Sequence, residues 1–143
     1  MWVTRSSRSA STGAAAVIDV IRATTTIVTA FQHGVRAVVP VASPEEARSA
    51  RVTIPGAILA GERGGRRISG FDLGNSPREF TPDNIGGRRV VMTTTNGTRA
   101  LRACAHAQGV LVACFLNLKA TAGFLARKQP EHLLLICSGT FDQ

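Results

Sequence analysis

The sequence predicts an α/β protein with three layers, α/β/α, built around a largely parallel β-sheet. Short apolar runs rich in β-branched residues alternate along the chain with stretches that have helical patterns and helix-capping residues. Strands that alternate with helices are typical of a parallel sheet covered by helices on both faces. The chain has 143 residues, which suits a single domain of ordinary size.

The first half of the chain contains three predicted strands and two predicted helices. The strands are Ala15–Val20, Arg36–Val41 and Ile58–Ala60. A helix is predicted over Thr24–His33 because Gly34 follows, and glycine is favoured just after a helix end. A second helix is predicted to begin at Ser43, since serine is a good N-cap, Pro44 suits the first helical position and two glutamates occupy the first turn.

The second half continues the alternation after a glycine-rich stretch, Gly61–Gly74, which we expect to be a loop. The predicted strands are Arg88–Thr93, Val110–Cys114 and Leu133–Cys137, and the predicted helices are Asn96–His106 and Leu118–Arg127. Residues 15–143 are therefore expected to form a single α/β domain. Residues 1–14 are expected to be disordered or poorly defined. Their composition, rich in serine and arginine and without acids, also resembles that of an organellar transit peptide.

The composition excludes several classes of protein. Hydrophobic residues make up 44% of the chain and charged residues 18%, which is typical of a globular protein and not of a disordered one. The longest apolar runs fall far short of the ~20 residues that a membrane span needs. Aromatic residues are only 5%, which argues against nucleic-acid binding by base stacking. We therefore expect neither a membrane nor a nucleic acid as partner.

The chain is basic, with a formal net charge of +8 and 15 arginines against two lysines. Arginine presents a planar fork of donors that suits phosphate, sulfonate and carboxylate, so the excess is consistent with an anionic partner. The base composition of the gene is an equally good explanation. The three cysteines, Cys104, Cys114 and Cys137, are odd in number and lack paired spacing, which argues against a disulfide framework or a zinc site. A reducing, cytoplasmic location is expected.

Polar clusters follow four of the predicted strands, at the points where the strands end. The clusters are Asp19–Thr26, Gly61–Arg67, Thr93–Thr98 and Cys137–Thr140. In open α/β sheets, ligands bind in the crevice beyond the carboxyl ends of the strands. Helix N-termini at that edge offer free N–H groups, which suit phosphate. The four clusters are therefore expected to meet at one rim and to form an anion-binding site.

Each cluster also has a plainer structural interpretation. Asp19 ends an apolar strand, where a buried carboxylate needs a partner such as a metal ion or Arg22, or a hydrogen bond from the next turn. The turn Thr95–Thr98 could cradle an anion or simply cap a helix. The loop Gly70–Pro77 could present oxygens to a hard cation or be an ordinary turn. The stretch Gly61–Arg67 could be a solvated basic loop.

Five segments taken together resemble the 2-phosphosulfolactate phosphatase family of coenzyme M biosynthesis. They are Val17–Thr26, Gly61–Gly65, Gly70–Pro77, Thr93–Thr98 and Cys137–Thr140, in order and over roughly Ala16 to Thr140. The resemblance implies a three-layer α/β fold and a magnesium-dependent phosphatase. That activity would hydrolyse 2-phospho-3-sulfolactate, a small anion, to 3-sulfolactate and phosphate.

The resemblance also implies a set of site residues. Asp19, Glu62 and Asp72 are expected to be the catalytic and metal-ligating carboxylates, with Mg²⁺ as cofactor and their individual roles left open. The expected substrate-binding residues are Arg22, Thr24, Arg63, Asn75, Ser76, Thr95, Asn96, Gly97, Thr98, Ser138, Gly139 and Thr140. Two alternatives stay open: a non-catalytic domain that binds an anion or a nucleotide at the same rim, and a basic nucleic-acid-binding protein.

Members of that family continue beyond the last of these motifs, so the domain is expected to be incomplete at its C-terminus. An absent edge element would leave a strand edge open to pairing. A homodimer through that edge is one expectation.

Overall fold

A computed structural model describes residues 13–138 of the chain, and within that range the backbone forms seven strands, five α-helices and two 3₁₀ turns. The strands are β1 (Gly13–Ile18), β2 (Ala37–Pro40), β3 (Ile58–Arg63), β4 (Arg66–Arg67), β5 (Arg89–Thr93), β6 (Gly109–Ala113) and β7 (His132–Cys137). The helices are α1 (Ala23–Gln32), α2 (Pro44–Thr53), α3 (Pro82–Ile85), α4 (Gly97–Ala103) and α5 (Leu118–Lys128). The 3₁₀ turns are Pro77–Glu79 and Phe115–Asn117.

The predicted strands and helices are confirmed, with ends that shift by at most three residues. The start of α2 is also confirmed: the hydroxyl of Ser43 accepts a hydrogen bond from Glu46 N, and Pro44 occupies the first helical position. The prediction for residues 1–14 falls outside the described residues except for Gly13 and Ala14, which begin β1.

The glycine-rich stretch differs from the predicted loop, because its first part is a β-hairpin. Strand β3 extends to Arg63 and pairs in antiparallel fashion with β4. The two residues between them, Gly64 and Gly65, have φ angles of 56° and 78°. Positive φ at both central positions is what the tight hairpin turn of type I′ requires, and glycine adopts it without strain. Glu62 therefore lies on a strand, with a fixed direction, and not on a flexible loop.

The α/β class and the largely parallel strand arrangement are confirmed, but the strands are divided between two sheets. One sheet has the order β6-β1-β7 and the other the order β2-β5-β3-β4. All pairings are parallel except that of β3 with β4. Helix α4 contacts β1 of the first sheet and β2 and β5 of the second, so it links the two.

The apolar core lies between the sheets and the helices that cover them. On β3, Ile58 and Ala60 point into a large apolar cluster that also contains residues of α1, α4 and β1. Leu59 points to the opposite face of the sheet, into a smaller cluster in which Ala47 of α2 is fully buried. The alternation follows from the two-residue repeat of a strand. Both faces of this sheet are covered, as expected for parallel strands.

The three cysteines are free thiols. Cys104 and Cys114 are buried in the large apolar cluster, and Cys137 is exposed on β7.

Candidate functional site

Two carboxylates are buried at the rim where the parallel strands end. Asp19 follows β1 directly and is 9% exposed, and Glu62, near the end of β3, is 7% exposed. The segments that follow these strands are α1, the β3–β4 hairpin and, beyond β5, the turn that leads into α4. The predicted convergence of separate segments at one rim is thus present for Asp19, Glu62 and the turn after β5.

Glu62 is held by three donors. Its Oε1 accepts a hydrogen bond of 2.7 Å from Thr95 N, and its Oε2 accepts from Gly65 N at 2.8 Å and from the Thr95 hydroxyl at 3.2 Å. Burial by itself raises the pKa of this carboxyl, but the hydrogen bonds from Thr95 and Gly65 outweigh it and leave the pKa below its ordinary value. Glu62 is therefore ionised, and it ties the hairpin to the turn before α4.

Asp19 has the opposite electrostatics. Burial raises the pKa of its carboxyl, the backbone N–H of Ala23 at the start of α1 lowers it, and the negative charge of Glu62 raises it again, with a net increase. The two carboxylates are therefore close enough for their charges to repel. A nearby cation would stabilise the ionised form of Asp19.

Gly97, the first residue of α4, lies directly against this carboxylate. A Cβ atom on Gly97 would lie 2.6 Å from Asp19 Oδ2 and would also overlap the Cβ of Ala23. The starts of α1 and α4 therefore pack together around Asp19 with no room for a methyl group. The geometry explains why glycine follows Asn96 here.

The two arginines expected to bind substrate have different surroundings. Arg63 donates to the Thr93 hydroxyl at 2.9 Å, to Ala42 O at 3.2 Å and to Glu62 O at 2.7 Å, so its guanidinium joins neighbouring strand ends. Arg22 makes a longer hydrogen bond of 3.3 Å, to Gly65 O, at the surface, and its positive charge lowers the pKa of Asp19. Of the two, Arg22 is the better placed to contact an anion at the rim.

The threonines expected to bind substrate make hydrogen bonds within the protein. Thr24 receives a hydrogen bond from Asp19 N and donates to Asp19 O, which fixes the turn before α1. Thr98 accepts from Thr94 N at 2.8 Å and its own N–H donates to the Thr94 hydroxyl at 3.0 Å. Thr95 binds Glu62, as described above. These hydroxyls shape the rim, and Asn96 lies half-buried beside them as the N-cap residue of α4.

Asn75 brings a further oxygen to this region. Residues 60 and 73 form a parallel bridge, and Glu62 and Asn75 each lie two residues beyond it. The hydroxyl of Thr26, on α1, donates to Asn75 O at 2.9 Å. Asn75 is 5% exposed, and its Oδ1 is buried with no hydrogen-bond partner among the described residues. A buried acceptor without a donor is costly and is suited to a ligand or an ion. Ser76, next to it, caps the 3₁₀ turn that follows.

Asp72 is not brought to the other two carboxylates. It is exposed, forms an ion pair with Arg51 of α2 and accepts a hydrogen bond of 2.8 Å from Leu59 N. Leu59 precedes Glu62 by three residues on β3, which corresponds to about 10 Å along the strand. Between residues 13 and 138, no group of three or more His, Cys, Asp or Glu side chains could hold a metal ion together.

The last predicted cluster is described only in part. Ser138 N donates to Ile18 O at 2.8 Å, which places Ser138 beside the end of β1, one residue beyond the last register pair, Ile18 with Cys137. Gly139 and Thr140 lie outside the described residues.

The chemistry of the oxygen atoms in this region suits a magnesium ion. Mg²⁺ is bound in proteins through one or two carboxylates, while water and substrate phosphate complete its coordination. Asp19 and Glu62 supply two buried carboxylates, and the unpartnered Oδ1 of Asn75 is a neutral oxygen of the same hard type.

Three residues that build the rim are absent from the expected site residues, although Gly65 and Thr94 lie within predicted clusters. Gly65 donates to Glu62 and accepts from Arg22, Thr94 pairs with Thr98, and Glu79 accepts hydrogen bonds from Gly74 N and Ser76 N. The paired glycines at 64 and 65 are a hairpin signal that could have been used. The reciprocal bonds of Thr94 and Thr98 have the four-residue spacing of a helix start, which is a weaker signal.

No helix in the described part of the chain is long and apolar enough to cross a membrane.

Comparison with known proteins relates this chain to a family of phosphatases. The model of the family described as 2-phosphosulpholactate phosphatase matches residues 3–143. A "Probable 2-phosphosulfolactate phosphatase" from Synechococcus sp. (strain CC9605) is 47% identical over 128 residues, which cover 88% of this chain and 53% of that protein. Relatives with the same description from Deinococcus radiodurans and Caldanaerobacter subterraneus subsp. tengcongensis are 47% and 42% identical, over 88% and 87% of this chain and 53% and 52% of their own length.

The match includes all the rim residues described above and reaches the end of the chain. The chain spans about half the length of the curated relatives that it matches. Since the family model covers nearly all of it, the chain belongs to the 2-phosphosulpholactate phosphatase family.

Proposed function

We propose that the rim around Asp19 and Glu62 is a magnesium-dependent phosphatase site, and that its substrate is 2-phospho-3-sulfolactate, which is hydrolysed to 3-sulfolactate and phosphate. The observation that supports this most is the pair of buried carboxylates, of which Asp19 has a raised pKa partly because of Glu62. Two neighbouring negative charges in a buried place are costly unless a cation lies between them.

The two carboxylates of the rim would have different roles, because their hydrogen bonds and pKa shifts differ. Glu62 is fixed by three donors and stays ionised, so it suits a permanent ligand of the cation. Asp19 has a raised pKa, so it is the better candidate for the group that also accepts a proton or attacks phosphorus. When bound, Mg²⁺ would offset the negative charge of the phosphoryl group during its transfer.

Arg22 would hold a second anionic group of the substrate. The proposed substrate carries phosphate, sulfonate and carboxylate, and a guanidinium binds each of these through paired N–H donors. Arg22 lies at the surface of the rim next to the carboxylate pair, where its contact to Gly65 O is long enough to be exchanged for a stronger one. The sulfonate is the group that distinguishes this substrate from ordinary phosphate esters.

The test is phosphate release from 2-phosphosulfolactate and from a generic aryl phosphate, each with Mg²⁺ and with EDTA. The proposal predicts turnover that requires Mg²⁺ and is faster on the sulfonated substrate. Turnover of the aryl phosphate alone would support a phosphatase activity but would contradict 2-phospho-3-sulfolactate as the substrate. Anion binding by a well-folded chain without turnover of either compound would overturn the proposal in favour of a non-catalytic anion-binding domain.

Asp72 provides a control for the carboxylate pair. In Asp72→Asn, the ion pair with Arg51 is lost while an amide oxygen remains to accept from Leu59 N. Exposed ion pairs contribute about 0–1 kcal/mol, so a small decrease in thermal stability is expected. Magnesium-dependent phosphate release should change by less than about twofold, which is about 0.4 kcal/mol of barrier, because Asp72 lies away from the carboxylate pair. A loss as large as that from changing Asp19 would show that Asp72 belongs to the site after all.

A further inference from the structure

Strand β7 exposes apolar side chains on both of its faces. Leu133, Leu134 and Leu135 are 42%, 60% and 60% exposed, respectively. In register, Leu134 lies beside Ala15, which faces the core, whereas Leu133 and Leu135 lie beside residues 14 and 16 on the opposite face. On β6, the other neighbour of β1, residues 110–112 are 2–7% exposed. Of the two strands that flank β1, β6 is therefore buried and β7 is exposed to solvent.

The open edge of β7 adds to this surface. Among residues 13–138, β7 pairs only with β1, so alternate N–H and C=O groups of β7 point away from the sheet without a strand to bind them. A continuous apolar run such as Leu133–Ile136 is typical of a parallel strand that is buried on both faces. An unpaired edge next to apolar faces is a template for the addition of another strand.

We propose that β7 is an interior strand of the assembled protein, and that its faces and open edge bind the polypeptide that makes up the rest of the relatives' length. The curated relatives are about twice as long as the part that this chain matches, since it covers 52–55% of them. A segment of that size is large enough to add a strand to the edge and to cover both faces. The proposal concerns this surface and does not rest on the phosphatase chemistry.

A second copy of this chain fits the same surface less well. Each copy carries a formal net charge of +8, so two copies repel each other when they are brought together. The nearby C-terminal end of α5 adds Arg127 and Lys128 to the basic surface. A neutral or acidic segment meets no such repulsion.

The experiment fuses the remaining half of the Synechococcus relative to the end of this chain and follows hydrogen exchange of the β7 amides. The proposal predicts that the outward-pointing amides of His132–Cys137 exchange roughly 100-fold more slowly or better in the fusion, because an edge strand then joins a cooperative unit. Leu134→Glu should abolish the added protection. Val52→Glu is the matched control, since Val52 is an exposed apolar residue on α2, at 82%, and it should leave the protection unchanged.

Two results would overturn the proposal. The first is an unchanged rate of hydrogen exchange at the β7 amides when the segment is added. This must hold both in the fusion and when the segment is supplied as a separate polypeptide at rising concentration. The other is a dimer of the unfused chain in which the β7 amides are already protected and which Leu134→Glu dissociates, because a second copy would then occupy the surface. The separate polypeptide keeps the test decisive should the fusion itself misfold.

Discussion

Replacing Asp19 with asparagine is expected to lower magnesium-dependent phosphate release by on the order of 10²-fold or more while the fold persists. The change removes one of the two charges that would hold the cation, and metal ions contribute several kcal/mol to such reactions, at 1.36 kcal/mol per tenfold in rate. Phosphate release by Asp19→Asn and by the wild type, measured at the same Mg²⁺ concentration, checks this. Rates within threefold of the wild type would contradict the role of Asp19.

The same variant should be no less stable than the wild type at pH 8 without Mg²⁺. The folded-state pKa of Asp19 is raised, so its protonated form favours folding, and this contribution is lost as pH rises through that pKa. Asparagine mimics the uncharged form at every pH, and its amide oxygen can still accept the hydrogen bond from Ala23 N. Thermal unfolding at pH 8 and at pH 4 should show an advantage of the variant at pH 8 that shrinks at pH 4. A variant that is clearly less stable at pH 8 would show that the carboxylate is well neutralised.

The second large effect is expected from Gly97→Ala. The added methyl group would overlap Ala23 and lie 2.6 Å from Asp19 Oδ2, so the starts of α1 and α4 must move apart. Overpacking of this kind costs about 1–3 kcal/mol, which exceeds the gain of roughly 0.5–1 kcal/mol that alanine brings to a helix. Both the unfolding temperature and phosphate release should decrease, because Asp19 is displaced with the helix.

Gly109→Ala is the matched control for this change. A Cβ at residue 109 would meet no atom within 4 Å, so the same substitution there should leave stability and activity unchanged. Equal stability and activity in Gly97→Ala and Gly109→Ala would contradict the close packing around Asp19.

Much of the fold was predictable because its signals are local. Ser43 and Pro44 mark the start of α2 with chemistry that depends only on adjacent residues, and the structure confirms it. The hairpin at Gly64 and Gly65 is harder to predict, because glycines in a sequence indicate flexibility as readily as the tight turn that their pairing also marks. The division of the strands between two sheets was not predictable, since the alternation of strands and helices does not specify which strands pair.

The sequence predicts those site residues that directly follow or end a strand, because their position depends only on where the strand ends. Asp19 and Glu62 meet at the rim because each comes at the carboxyl end of a parallel strand. Asp72 has similar sequence surroundings, but its position is decided by Arg51 and by Leu59 N, which are distant in sequence. Free hydroxyls and bonded ones look the same in a sequence, so the internal hydrogen bonds of Thr24, Thr95 and Thr98 could not be predicted.

Calorimetric titration of Mg²⁺ into the wild type, Asp19→Asn, Glu62→Gln and Asp72→Asn tests the central claim most directly, because it needs no substrate and no turnover. Binding by the wild type and Asp72→Asn, and its loss in Asp19→Asn and Glu62→Gln, is the predicted result. Binding that survives in Asp19→Asn and Glu62→Gln, or that disappears in Asp72→Asn, would contradict a cation site at the Asp19–Glu62 pair.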